Sequence, residues 1–71
     1  SRAFMHAGTP SVLASLWKVD DRATLQFMRH FYFELAAGKD KARALRAAQR
    51  LTRIHYPNPR DWAGFVLIGR P

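Results

Sequence analysis

Cysteine is absent from these 71 residues, which removes disulfides, thiolate metal sites and a cysteine nucleophile from anything the segment does by itself. Its core must hold by packing alone. No apolar run approaches the ~18 residues that a membrane span requires, and no charged stretch leads into a hydrophobic one at the start. A cytoplasmic location and no membrane contact are expected. Acids are scarce, five against twelve lysines and arginines, for a net charge of +7. Internal repeats and low-complexity segments are lacking. The four glycines form no phosphate-cradling loop and suit caps and turns instead. His6, His30 and His55 are too far apart for a local metal motif, and no Gly-x-Ser-x-Gly turn surrounds Ser11 or Ser15, so neither a metal, a cofactor nor a serine hydrolase is expected.

What is present fits one small domain at most, and a chain this short buries too little surface to be more than marginally stable alone. It starts at Ser1 without a methionine and reads as a piece of something longer. Residues 1–7 read as the last turns of a helix, with Gly8 as its C-terminal cap and Pro10 preventing continuation. Residues 11–17 form a short, near-continuous apolar run, the pattern of a strand covered on both faces.

From residue 21 to 37 the pattern turns helical, with Leu25, Met28, Tyr32 and Leu35 on one stripe and Phe27 and Phe31 widening it, so heavy coverage is expected. Gly38 ends this helix. Asp40 is placed to cap a second one running to about residue 55, with Leu45, Ala48 and Leu51 inward. Tyr56-Pro57-Asn58-Pro59 breaks it, because each proline disfavours helix in the residue before it. A turn with Arg60, Asp61 and Trp62 follows, and then an apolar strand over residues 64–68 closed by Gly69 and Pro71. Two helices between two strands return the chain antiparallel. Two strands cannot bury such helices alone, so further strands should come from outside the segment or from a second copy.

Most of the net charge of +7 lies between Lys39 and Arg53, where six of the twelve basic residues accompany one acid. Arg43, Arg46, Arg50 and Arg53 recur at spacings of three, four and three, which is one helical face. Such a face can track a phosphate backbone, but aromatics are not interleaved with the arginines along the sequence. A solvated face is the simpler reading, with nucleic acid and an acidic protein partner as alternatives.

The most informative stretch is Ser15-Leu16-Trp17-Lys18-Val19-Asp20-Asp21, where the first apolar strand runs into two acids and then a helix. In open α/β sheets, clefts form outside the carboxyl ends of strands, so a binding residue belongs here. The acids can equally serve the helix, one as N-cap and the other beside its dipole. Trp17 can wall a cleft or pack in the core.

The order of Ser1-Arg2-Ala3-Phe4, Ala7-Gly8, the strand ending Ala14-Ser15-Leu16-Trp17-Lys18-Val19-Asp20-Asp21, the run Gly38-Lys39-Asp40-Lys41-Ala42-Arg43-Ala44-Leu45-Arg46-Ala47-Ala48-Gln49 and the close Trp62-Ala63-Gly64-Phe65-Val66-Leu67-Ile68-Gly69 resembles the C-terminal part of a CHAT domain. These are caspase-like proteins related to separase and often fused to tetratricopeptide repeats. The resemblance implies an α/β fold: the C-terminal part of a caspase-like α/β/α sandwich, contributing two apolar strands with an intervening helical hairpin. It also implies a parent cysteine peptidase whose His and Cys dyad lies upstream. The segment would be inactive alone, complete the sheet, and help line the substrate cleft. Trp17, Asp20 and Asp21 are the implied substrate-binding residues, the acids favouring an Arg or Lys before the scissile bond. Expected partners are the rest of the domain, a protein or peptide substrate, tetratricopeptide repeats in the parent, and a second copy through strand edges. The alternative is a protease-inactive CHAT-like interaction module.

Overall fold

The computed structural model describes residues 2–6 and 11–69, with β1 over Arg2–His6, β2 over Ser11–Ser15, α1 over Asp21–Ala36, α2 over Lys41–His55, a 3-10 turn over Pro59–Asp61 and β3 over Phe65–Gly69. The strands form one antiparallel sheet in the order β1-β2-β3. The mixed α/β architecture and the two apolar strands flanking a helical hairpin match the sequence reading. In the β2–β3 ladder, Ser11 pairs with Gly69, Leu13 with Leu67 and Ser15 with Phe65.

Residues 2–6 are a strand, not the end of a helix. Isolated helices shorter than ~12 residues are marginal, whereas a β2 paired only to β3 would leave a whole edge of backbone donors and acceptors open. Arg2 opposite Ser15 and His6 opposite Val12 close that edge, with one irregularity between Ala3 and Met5. One additional strand therefore comes from within the segment. Gly8 and Pro10, assigned above to a helix cap, lie outside the described residues. β2 stops at Ser15 rather than Trp17, and β3 runs one position later than expected.

Side-chain alternation puts Leu13, Phe65 and Leu67 on the sheet face toward the helices. There they pack with Val19, Ala23, Phe27, Phe31, Ala44 and Ala48. Phe27 stacks on Phe65 with ring centroids 3.9 Å apart and planes within 7°. Each large apolar side chain buried there, such as Leu13, Phe27, Phe31 or Phe65, contributes about 1.5–3 kcal/mol by leaving water. The other sheet face carries Val12, Ala14, Val66 and Ile68, none of which joins that cluster.

α1 buries Ala23, Phe27, Phe31 and Glu34, with Met28 and Leu35 packed at the edge of the core, so the expected apolar surface holds except at Leu25 and Tyr32. Leu25 is 55% exposed and Tyr32 50%, because Leu25 sits two residues beyond Ala23, on the opposite side of the helix. α2 and a single sheet face cannot surround α1, so the heavy coverage expected of it is not found. Gly38 ends the helix at φ 98°, a conformation that favours glycine. Lys39 pairs with the buried Glu34 and donates its backbone N–H to the Glu34 carbonyl at 3.2 Å, tightening the turn into α2. α2 faces inward with Ala44, Ala47, Ala48 and Thr52.

Candidate functional site

The β2–α1 turn is built by three local constraints. Leu16 donates its backbone N–H to the Gly64 carbonyl at 2.8 Å, extending the join between the ends of β2 and β3 by one rung. The Trp17 indole Nε1 donates to the Arg60 carbonyl at 2.7 Å, which lays the ring across Gly64. A Cβ at position 64 would come within 2.7 Å of the ring, so only glycine admits Trp17 in this place. Val19 is buried and anchors the far side of the turn in the core.

Asp20 then caps α1. Its Oδ2 accepts from the backbone N–H groups of Arg22 at 3.0 Å and Ala23 at 3.3 Å, two donors that the helix leaves unsatisfied. Asp21 occupies the first helical position and is exposed, and no hydrogen bond or ion pair engages its carboxylate among the described residues. The two acids thus divide the work anticipated for them. Asp20 takes the cap, and Asp21 stays open to solvent beside the positive end of the helix dipole.

Asp20 and Asp21 line an open depression of about 300 Å³ together with Lys18, Val19 and Arg60. Trp17 does not line it, and at 39% exposure it is no core residue either. It braces the turn from behind. Lys18 and Arg60 are the members that sequence reasoning missed. Lys18 was within reach of it, being adjacent to Trp17, but Arg60 arrives from a loop forty positions away. Their two positive charges stand in the same depression as the two carboxylates, so the hollow is mixed in sign rather than acidic.

The other sequence candidates lie elsewhere. His30 Nε2 is 3.4 Å from Gln26 Nε2 on its own helix. Among the described residues, no three His, Asp or Glu side chains converge as a metal site would require, and no helix is long and apolar enough to cross a membrane. The arginines of α2 are exposed, and here the fold adds what the linear sequence does not. The Arg53 guanidinium lies 5.5 Å from the centroid of the Trp62 ring.

A family model described as the CHAT domain matches residues 1–70. The chain is similar to Tetratricopeptide repeat protein 28 of Homo sapiens, at 39% identity over 71 residues, and to the Mus musculus protein of the same name, at 37%. Both matches cover 97% of this chain and 3% of the relative, so the chain spans a small fraction of these curated proteins. No solved structure matches.

Proposed function

This chain belongs to the CHAT-domain family, and from that premise we propose that it is the noncatalytic C-terminal part of a caspase-like cysteine endopeptidase, completing the sheet and lining the substrate cleft. The nucleophile and its histidine partner would come from upstream segments. The tetratricopeptide repeats named in the relatives suit a parent that carries such repeats. A sheet face bearing Val12, Val66 and the half-exposed Ile68 outside the helix-side core supports further layers from the rest of the domain, which would make an α/β/α sandwich.

The observation that carries the site reading is the open Asp21 carboxylate at the carboxyl end of β2, next to an Asp20 already engaged in capping. In this reading Asp21 receives the Arg or Lys side chain before the scissile bond through charge-assisted hydrogen bonds. Asp20 holds the turn in place, and Trp17 braces it from behind. Lys18 and Arg60, in the same depression, favour the second reading, a protease-inactive interaction module, because they weaken its preference for a basic group.

The test uses the full parent protein and paired peptides with a basic or an apolar residue before the cleavage point. Asp21→Asn should lower kcat/KM for the basic peptide by about tenfold and leave the apolar peptide nearly unchanged. Equal losses on both would assign Asp21 to folding. A parent with no peptidase activity and no upstream His and Cys would establish the interaction module.

A further inference from the structure

The outer face of α2 has a composition that solvation alone does not require. Surfaces kept merely soluble intersperse both signs of charge. α2 carries Lys41, Arg43, Arg46, Arg50 and Arg53 and has no acid along its fifteen residues. Its cap, Asp40, accepts from the Arg43 backbone N–H at 2.9 Å and lies 3.7 Å from the Arg43 guanidinium. Beyond that first turn, no carboxylate of the described residues pairs with Arg46, Arg50 or Arg53.

These three arginines border a shallow depression of about 260 Å³ with Gln49 and Trp62. Its floor is held in place. Gln49 Nε2 donates to the Phe65 carbonyl at 3.1 Å, tying the middle of α2 to the start of β3. Trp62 Nε1 donates to the Pro57 carbonyl at 3.4 Å, and the Trp62 ring supports the Arg53 guanidinium. A guanidinium resting on an aromatic ring has lost part of its rotamer freedom before any partner arrives, which lowers the cost of ordering it on binding.

We propose that this face docks an acidic protein segment whose carboxylates repeat once per helical turn, opposite Arg46, Arg50 and Arg53. The arginine forks match carboxylates bidentately, and arginine and tryptophan are the residue types that most often dominate protein interfaces. Nucleic acid fits less well. Sequence-tolerant strand binding stacks bases on aromatic faces, and here the aromatic ring beside the arginines is half-buried and occupied by Arg53. The inference does not depend on the peptidase reading, since a module without protease chemistry would carry the same face.

The test titrates the full parent protein into a fluorescein-labelled alanine-rich peptide whose glutamates follow the spacing of Arg46, Arg50 and Arg53, namely four then three. The same peptide with glutamines, and a single-stranded RNA oligonucleotide, run in parallel. Saturable binding of the glutamate peptide is expected, weakened about tenfold by Arg46→Glu with Arg50→Glu and no more than about twofold by Arg22→Glu with Arg29→Glu, an equal charge change on α1. Equal losses in both double variants, equal binding of the glutamine peptide, or no saturable binding would overturn the proposal. RNA binding tighter than the peptide, with the same dependence on Arg46 and Arg50, would overturn it in favour of a phosphate backbone. Should the charge reversal prevent folding, Arg50→Gln decides: an approximately threefold loss supports the docking face, and unchanged affinity rejects it.

Discussion

The two helices of the hairpin are nearly equal in length, sixteen and fifteen residues, yet they bury themselves by opposite means. α1 sends large rings inward, Phe27 and Phe31, and still leaves Leu25, Tyr32 and Phe33 facing out, the last 69% exposed. α2 presents alanines and a threonine to the core and arginines to the outside. The rings of α1 fill the space that the alanines of α2 leave open, so each inner face makes sense only beside the other. The outer faces differ just as much. That of α1 offers apolar surface to be covered, and that of α2 offers charge to be met.

Unequal substitutions would break this complementarity in different ways. Phe27→Ala removes the ring stacked on both Phe65 and Phe31 and should cost about 3–5 kcal/mol in urea unfolding of the chain. The reverse insult, Ala48→Leu, forces extra volume between α2 and those rings and should cost about 1–3 kcal/mol. If Ala48→Leu proved neutral, α2 would not be packed as tightly as its alanines indicate.

The caps sharpen the comparison on a smaller scale. Asp20→Ala and Asp40→Ala should each lose about 1 kcal/mol in the same assay, because each carboxylate holds first-turn backbone donors of its helix. The exposed contact between Asp40 and Arg43 should add little to the second value. A loss at Asp20 well below that at Asp40 would mean that Val19 and Trp17, rather than the cap, fix the start of α1.

The smallest effect is expected at Thr52, whose hydroxyl is fully buried in α2 with no hydrogen-bond partner among the described residues. Thr52→Val keeps the shape and removes an unsatisfied polar group, so stability should stay level or rise by about 1 kcal/mol. A clear loss would show that the hydroxyl has a partner on the inner face of α2.

Features specified by neighbours in sequence were legible from it. Asp40 before α2, Gly38 after α1, and the prolines at 57 and 59 act within a turn of where they stand, and each sits where its local chemistry directs. The antiparallel return of β3 followed from counting helical passes. Features decided by distant partners were not legible. Arg2–His6 pairs as a strand because β2 has a free edge. Leu25 and Tyr32 turn outward because the sheet covers one side of α1. Of the candidate site, the cap at Asp20 and the open Asp21 could be foreseen as alternatives, since a helix start needs one acid and not two. Arg60 could not, because the bond that brings it to Trp17 spans forty-three positions. The meeting of Arg53 with Trp62 was hidden for a similar reason, as Ile54 to Asp61 intervene in sequence.

Gly64 contributes no side chain, yet the seat of the Trp17 ring, and through it the departure of the chain toward Asp20 and Asp21, depends on the space that side chain would have filled. The fit of the turn is therefore written in the width of a single hydrogen atom nearly fifty residues downstream. A comparison of related chains restricted to the acidic turn would overlook the position that sets its placement.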